Sequence, residues 1–171
     1  LEFRRVLFRS QLVLTERVCY NSNTEYKGGR EDPPSARILG GSIMGNKKYV
    51  AYVGTYTHGS SKGIHVYDVD VEKGTFTERN EVKVRNASHT AVSKNGKYLY
   101  SIEDEGVAVF TRDENGDLSR INSVNIDGMR GCFLSTDRQG KFLFVAGYHD
   151  GKITVVHTHR DGRLGSVMDG I

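Results

Sequence analysis

The feature that most constrains the fold is a sequence unit that recurs three times after residue 44. Each copy opens with a polar turn followed by an aromatic-rich apolar segment: NKKYVAYVG (46–54), NGKYLYSIE (95–103) and QGKFLFVAG (139–147). The equivalent residues Tyr49, Tyr98 and Phe142 lie 49 and 44 positions apart. A turn followed by an apolar, aromatic segment predicts a β-strand, and the repetition predicts an array of similar strand units.

Each copy continues with further short strands. The second strands are GIHVYDVD (63–70), GVAVFTRD (106–113) and GKITVVHTH (151–159), and the turns after them carry Gly74, Gly116 and Gly162. One more strand precedes the second and third copies: SHTAVS (88–93) and GCFLST (131–136). Four short strands recurring with a period near 44 predict an all-β fold built from β-propeller blades. A plain β-sandwich is the alternative, and the fixed period favours the propeller.

The first copy lacks its inner strand, because the segment 46–54 follows Met44 almost at once. The chain stops at SVMDGI, where a fourth blade would begin. Three blades cannot close a ring, and their open ends would expose unpaired strand edges. We therefore expect residues 44–171 to be the N-terminal part of a larger propeller.

Residues 1–43 show neither a helical nor a strand period of useful length. LEFRRVLFRS (1–10) matches the translation of a sequencing adapter, and codons 39–41 can spell a ribosome-binding site just before Met44. The hypothesis is that 1–43 is a non-native leader, with 1–10 adapter-like and 11–43 upstream DNA read through in frame. A flexible native tail is the alternative, and both exclude this segment from the domain.

The charge distribution gives little support to nucleic-acid binding. The net charge of +3 divides into +2 for residues 1–43 and +1 for residues 44–171, so the domain is nearly neutral. No apolar run is long enough to cross a bilayer and no signal peptide is visible, so no membrane partner is expected. With only Cys19 and Cys132, no disulfide framework is implied, and a cytoplasmic location is the default.

Three stretches carry a resemblance to a known family: YVGTYTHGSSKGIHVYDVD (52–70), SKNGKYLYSIED (93–104) and STDRQGKFLFVAGYHDGKITVV (135–156). They resemble the 6-phosphogluconolactonase-type lactonases, which form seven-bladed propellers, over essentially all of 47–171. The resemblance implies the first three of seven blades of an enzyme that hydrolyses 6-phosphogluconolactone to 6-phosphogluconate in the pentose phosphate pathway. The partner it implies is a small-molecule sugar lactone, with no cofactor. The oligomeric state is left open.

Lactone hydrolysis needs a base that activates water and donors for the developing oxyanion, and a phosphorylated substrate also favours an arginine clamp. The resemblance places most of the family's His, Glu and Arg cluster in later blades. The candidates within this chain are His149, Glu103 and His89 as catalytic residues, and Arg130 and Tyr148 as substrate-binding residues. Arg130 and His149 are the foremost of them, and solvated loop positions are the alternative for each.

The sequence departs from the family pattern at two positions, with Gly147 where asparagine is usual and Phe133 near a position that often carries histidine. GSSKG (59–63) fits G-x-S-x-G, but it joins two strands, so Ser61 is expected in a hairpin loop and not in a nucleophile elbow. His157 and His159 lack an evident third ligand, so no metal site is expected. A non-catalytic propeller that serves as a binding platform is the alternative function.

Overall fold

The computed structural model describes residues 11–16, as backbone only, and residues 49–170. The regular elements of these residues are β-strands. No helix with the length and apolar character of a membrane span occurs in the described part of the chain. The strands form three four-stranded sheets, each with its strands in sequence order, and neighbouring strands within a sheet are antiparallel. The expected all-β class and the repeated four-stranded unit are confirmed.

The strands fall into three groups of four. The first sheet contains β1 (Gln11–Glu16), β2 (Tyr49–Gly54), β3 (Gly63–Asp70) and β4 (Thr75–Lys83). The second contains β5 (Thr90–Val92), β6 (Tyr98–Glu103), β7 (Gly106–Arg112) and β8 (Leu118–Asn125). The third contains β9 (Gly131–Thr136), β10 (Phe142–Gly147), β11 (Ile153–Thr158) and β12 (Leu164–Gly170).

The second sheet lies between the other two and is buried on both of its faces. Alternate residues of a strand point to opposite faces, so its strands serve two cores at once. Along β6, Leu99 packs towards the first sheet, whereas Tyr100 and Ile102 pack towards the third. Along β7, Phe110 packs towards the first sheet and Val109 towards the third. Burial on both faces explains why this unit carries the near-continuous apolar runs YLYSI and VAVF.

Two apolar clusters hold the three sheets together. The first interface, between the first and second sheets, contains Val50, Tyr52, Ile64, Val66, Val84, Ala87, Leu99, Ala108 and Phe110. The second interface, between the second and third sheets, contains Tyr100, Ile102, Val107, Val109, Ile126, Leu134, Leu143, Val145, Val156 and Leu164. Each sheet therefore buries its apolar face against its neighbour along the chain, which is the packing expected of a repeat protein.

The first sheet differs from the sequence-based expectation at its inner edge. No strand was expected before Met44, yet β1 pairs with β2 from Gln11 opposite Gly54 to Glu16 opposite Tyr49. QLVLTE places three consecutive apolar residues between polar ones, and without it β2 would present an edge of unpaired backbone groups, to which such a segment can bond. Residues 1–10 and 17–43, with the expected start at Met44, lie outside the described residues.

Five connections lie together at one end of the three sheets, which we call the upper face. They are residues 55–62, 84–89, 104–105, 126–130 and 148–152. In antiparallel sheets of this order, every second connection must return to the same end. Hydrogen bonds between these connections confirm the placement, since Asn86 bonds to Thr57 and Asp104, and the Met129 amide bonds to Asp150. All five candidate site residues lie at or beside this face.

Candidate functional site

The centre of the upper face is a hydrogen-bonded group built around Asn86. Its φ of 53° is in the left-handed region, which asparagine tolerates better than most residues. The side-chain oxygen of Asn86 accepts from the Thr57 backbone N–H at 3.1 Å, and the side-chain NH₂ donates to Asp104 Oδ1 at 2.7 Å. Asn86 thus ties a loop of the first sheet to the β6–β7 turn of the second sheet.

The Asp104 carboxylate lies between two arginine side chains in the same group, Arg85 and Arg130. Asp104 occupies the β6–β7 turn with a φ of 46°, and its carboxylate accepts from Arg85 Nε at 2.9 Å. Arg130 Nη2 lies 3.8 Å from Asp104 Oδ1, at the outer limit of an ion pair. The Asp104 carboxylate orients the Arg130 guanidinium without saturating its donors, because only one guanidinium nitrogen lies near an oxygen of Asp104.

Arg130 brings the third sheet into the group. It immediately precedes β9, and its guanidinium carbon lies 5.3 Å from the centre of the Tyr56 ring, in cation–π geometry. Its Nε is buried and has no hydrogen-bond partner among residues 11–16 and 49–170. About a third of the side chain is exposed. A fixed guanidinium with an accessible edge is suited to an anionic or carbonyl oxygen.

The loop that carries Arg130 is held by Asp150. The Asp150 carboxylate accepts from the Lys152 N–H at 3.1 Å and from the Met129 N–H at 2.9 Å. These backbone bonds, that from Lys152 first, lower the pKa of Asp150 below its usual range. The Lys152 ammonium also donates to the Asp127 carbonyl at 2.9 Å. Two neighbouring loops of the third sheet are therefore cross-linked one residue away from Arg130.

His89 lies beneath this face and is buried. The Leu134 N–H donates to His89 Nδ1 at 3.3 Å, so the proton of a neutral imidazole resides on Nε2. Nε2 has no hydrogen-bond partner within the described ranges, and the Phe133 ring packs edge-on at 4.6 Å between centroids. Burial lowers the pKa of His89 to about 4. At neutral pH His89 is thus an uncharged hydrogen-bond donor.

The comparison with protein families matches this chain over residues 50–171 to the family described as a lactonase with a seven-bladed β-propeller. The match covers well over half of the chain and spans all three sheets apart from β1. The chain belongs to this lactonase family. The three four-stranded sheets are accordingly blades of a propeller, and the order of the strands within each sheet gives the inner strand first.

Individual relatives agree with the family match. The chain is 42% identical over 125 residues to the 6-phosphogluconolactonase of Bacillus subtilis (strain 168), covering 70% of this chain and 36% of that protein. It is 33% identical over 122 residues to the 6-phosphogluconolactonase of Formosa agariphila, covering 66% of this chain and 35% of that protein. The chain therefore spans little more than a third of the length of these relatives.

Solved structures show the same architecture. A Bacteroides fragilis protein, described as a proposed 6-phosphogluconolactonase, superposes with a TM-score of 0.71 at 32% identity, over 77% of this chain and 38% of that one. The Pseudomonas aeruginosa periplasmic gluconolactonase superposes with a TM-score of 0.68 at 25% identity, over 72% of this chain and 38% of that one. Both superpositions support the propeller arrangement of the described blades.

Within this lactonase fold, two of the five predicted site residues lie near the group around Asn86. Arg130 is part of it, and His89 lies just below, three residues after Asn86. Glu103 is directed elsewhere, since its carboxylate accepts two hydrogen bonds from Arg120 on β8, at 2.9 and 2.5 Å. That bidentate ion pair runs towards the outer strand of the second blade and away from Arg130.

Tyr148 and His149 occupy the turn between β10 and β11. Tyr148 is 82% exposed, and its ring meets that of His149 edge-on, with the centroids 5.5 Å apart. Asp150, the next residue, connects this turn to the loop of Arg130 through the Met129 amide. The pair thus stands at the rim of the upper face on the side of Arg130.

The residues that organise the site were missed by the sequence analysis. Asp104 and Tyr56 lie against Arg130, Asn86 bonds to Asp104, and Asp150 holds the loop of Arg130. The available signals were position and family resemblance: Asp104 directly follows the predicted Glu103, and Tyr56 lies within the GTYT stretch that carried the resemblance. The described residues contain no group of three or more side chains arranged to hold a metal ion.

Proposed function

We propose that the protein to which this chain belongs hydrolyses a sugar lactone, 6-phosphogluconolactone above all, to the open acid. The observation that carries the proposal is Arg130, held over Tyr56 with about a third of its side chain exposed, at a face where three blades of a lactonase propeller meet. The 6-phosphogluconolactonase names of two relatives support the substrate class. We also propose that residues 44–171 form the first three of seven blades.

In this proposal the substrate lies across the upper face and water attacks its carbonyl carbon. Arg130 binds an anionic oxygen of the substrate, the phosphate or the oxyanion that develops during attack. His149 at the rim is a candidate for the base that accepts the proton of the attacking water, and Tyr148 for contact with the sugar ring. His89 is a donor and not a base in its present tautomer, because Nδ1 is already occupied by the Leu134 N–H.

Kinetics of an Arg130→Ala variant, in the protein extended to the length of its relatives, test this role. Loss of a charge-assisted hydrogen bond of about 1.5–3 kcal/mol predicts a decrease in kcat/KM of roughly 10- to 100-fold, seen in KM if Arg130 holds the phosphate and in kcat if it holds the oxyanion. Arg85→Ala is the matched control, because Arg85 pairs with the same Asp104 carboxylate but is 75% exposed. An unchanged KM would contradict the phosphate contact, and an unchanged kcat/KM would remove the proposed substrate contact altogether.

Comparing 6-phosphogluconolactone with unphosphorylated gluconolactone identifies the oxygen that Arg130 binds. If Arg130 holds the phosphate, the variant loses its preference for the phosphorylated lactone. If Arg130 holds the oxyanion, kcat/KM falls by the same factor for both substrates. Absence of hydrolysis of either lactone by the extended wild-type protein favours the binding-platform alternative. The cytoplasmic location stays a prediction, since the similar Pseudomonas aeruginosa gluconolactonase is described as periplasmic.

We further propose that residues 1–43 are not part of the lactonase domain. The family match begins at residue 50, which supports this boundary, whereas β1 shows that residues 11–16 can occupy the inner edge of the first blade. The nucleotide sequence across both ends of the gene tests the proposal. Codons 39–41 without an AGGAGG-like run would contradict a start at Met44.

A further inference from the structure

A second cluster of reactive side chains lies on the first blade, apart from Arg130. Ser61, in the loop between β2 and β3, has its hydroxyl oxygen 2.9 Å from His65 Nε2. The other ring nitrogen, His65 Nδ1, is 2.6 Å from Glu78 Oε1. A hydroxyl, an imidazole and a carboxylate connected in this order, at these distances, form the arrangement that activates a serine for nucleophilic attack.

The cluster is assembled by strand pairing and not by a nucleophile elbow. Ser61 lies in a hairpin loop, as its sequence context predicted, and no helix follows it. His65 is the third residue of β3, and Glu78 lies on the paired strand β4, opposite Tyr67. Residues two apart on a strand share a face, so Glu78 reaches the imidazole diagonally across the sheet.

The proton positions follow from the acceptors. A carboxylate accepts only, so in the neutral imidazole Nδ1 carries the proton and donates it to Glu78. Nε2 then presents its lone pair to the Ser61 hydroxyl. The single Ser61 proton can instead go to Thr55 Oγ1, 2.5 Å from Ser61 Oγ, since the Thr55 hydroxyl donates its own proton to the Gly63 carbonyl at 2.8 Å. The imidazole is the far stronger base of the two acceptors.

A second carboxylate stands beside the imidazole. Glu81 Oε1 is 3.5 Å from His65 Nε2, and Glu81 is held by the Lys62 N–H at 2.5 Å and the Lys62 ammonium at 3.1 Å. Hydrogen bonding from the Lys62 backbone lowers the pKa of Glu81, so this group is ionised at neutral pH. Two carboxylates flank His65 and stabilise the imidazolium that forms when Ser61 loses its proton.

An aromatic surface adjoins the cluster. The Tyr67 ring lies 6.3 Å from that of His65, and the Phe76 ring meets Tyr67 edge-on at 6.2 Å. Phe76 is 43% exposed, so part of this surface is open to solvent. An aromatic group that stacks here would lie beside the imidazole that must protonate a leaving oxygen. This favours esters with an aromatic alcohol component.

We propose that Ser61, His65 and Glu78 form a second catalytic site, which hydrolyses aryl esters through an acyl-serine intermediate. The Ser61 oxygen bonds to the acyl carbon while His65 takes the hydroxyl proton. The bond from carbon to the aryl oxygen breaks, and His65 delivers the proton to that oxygen. Water then attacks the acyl-serine, which releases the acid and restores Ser61. The proposal does not rest on the lactonase activity.

The Gly63 N–H donates to Ser61 Oγ at 3.3 Å. This backbone amide is the candidate donor for the oxyanion, which sets the expected rate. Loss of a single oxyanion donor costs other enzymes roughly 10²–10³ in kcat, so a site with one donor is expected to turn over slowly. Acylation should therefore be easier to detect than steady turnover.

Labelling of the full 171-residue chain with a fluorophosphonate, followed by peptide mass analysis, tests the proposal. The expected result is a single adduct on Ser61. Ser60, its exposed neighbour in the same loop, is the matched internal control and should remain unmodified. His65→Gln should slow labelling by roughly 10²-fold or more, because general-base assistance is lost. Ser60→Ala should label at the wild-type rate.

Three results would overturn the site: no adduct, an adduct on Ser60, or equal labelling of wild type and His65→Gln. Adduct mapping on the wild-type chain needs no variant, so it remains decisive even if a variant fails to fold, which far-ultraviolet circular dichroism would reveal. Hydrolysis of p-nitrophenyl acetate should show a burst that Ser61→Ala abolishes. In the protein extended to the length of its relatives, lactone hydrolysis in Ser61→Ala should stay unchanged, which separates this proposal from that for Arg130.

Discussion

The two interfaces between the blades are built from the same strands of the repeat but are held differently. In the first interface, the buried Tyr52 hydroxyl donates to the Gly116 carbonyl at 2.5 Å and accepts from Arg112 Nε at 2.9 Å. Arg79 adds an ion pair across the blades to Asp117 at 3.0 Å. The second interface has a larger aliphatic cluster, and among its polar links is Asn122, whose side-chain amide donates to the Leu164 carbonyl and accepts from the Leu164 N–H.

This difference shows that similar repeats specify similar blades without specifying the contacts between them. A buried hydroxyl with two partners requires one geometry, because any shift leaves a polar group unpaired. An aliphatic cluster tolerates side chains of similar volume. We therefore expect the first interface to be sensitive to conservative changes that the second interface accepts.

Removal of a large buried side chain should be costly in both interfaces. Phe110 and Leu143 are fully buried, one in each cluster. Phe110→Ala should lower the free energy of unfolding by about 3–5 kcal/mol and Leu143→Ala by about 2–5 kcal/mol, because each leaves a cavity. Urea denaturation followed by circular dichroism measures both. A cost below about 1 kcal/mol for either variant would show that its interface is not a packed core.

Mild acid should weaken the second interface selectively. His89, bonded to the third blade, has a pKa of about 4, whereas an unfolded histidine titrates near 6.5. The unfolded chain therefore binds the extra proton first. Stability should fall by about 3 kcal/mol as the pH drops from 6.5 towards 4. Urea midpoints across this range, in wild type and His89→Gln, measure the effect.

The control for this pH dependence lies in the other interface. Burial raises the pKa of Tyr52, so its contribution is intact below pH 10 and is lost only in alkali. The hydrogen bond from the Phe142 backbone N–H is the main cause of a lowered pKa at Asp137. The stability that this carboxylate contributes is therefore lost only as the pH falls below 3.8, outside the range from 6.5 to 4. A slope between pH 6.5 and 4 that persists unchanged in His89→Gln would refute the assignment.

Substitution of equivalent turn glycines should lower stability by different amounts, depending on whether a neighbouring blade lies against the turn. Gly74 and Gly162 both have a left-handed backbone, with φ of 64° and 86°. A Cβ on Gly74 would meet nothing within 4 Å, whereas one on Gly162 would overlap the Tyr98 ring. Gly74→Ala should cost about 1–2 kcal/mol from backbone strain alone, and Gly162→Ala about 1–3 kcal/mol more.

Thermal denaturation of both glycine variants gives the comparison directly, since the local strain is common to the two turns. Gly116 extends the series, because a Cβ there would press on Val50 and the Tyr52 hydroxyl of the first blade. Equal losses at Gly74 and Gly162 would mean that the second and third blades do not meet at Tyr98.

Conservative substitutions should give the smallest effects and the clearest distinction between the interfaces. Tyr52→Phe deletes only the hydroxyl oxygen and should cost about 1–3 kcal/mol, because the Gly116 carbonyl loses a buried donor. Leu143→Met keeps the volume of the second cluster and should cost less than about 1.5 kcal/mol. Urea midpoints of the two variants test this order. A reversed order would contradict the contrast between a polar and an aliphatic interface.

The sequence predicted the blade repeat well because its signals are local. Alternating apolar segments and left-handed turn glycines act within ten residues, and the strands from Tyr49 onwards follow them closely. GCFLST (131–136) coincides with β9, whereas SHTAVS (88–93) is a strand only over Thr90–Val92. His89 lies just before this strand, and its ring accepts from the Leu134 N–H of the next blade.

The candidate site was harder to predict because its partners lie far apart in the chain. The sequence by itself determined the repeat, the lactonase family and the position of Arg130 beside an inner strand. Only the tertiary structure decided that Arg130 packs on Tyr56, that Glu103 pairs with Arg120, and that His65 joins Ser61 to a carboxylate on the next strand. The physical reason is range: turns and strand alternation depend on neighbouring residues, whereas ion pairs and proton positions depend on whichever strands and loops the packing brings within about 3 Å.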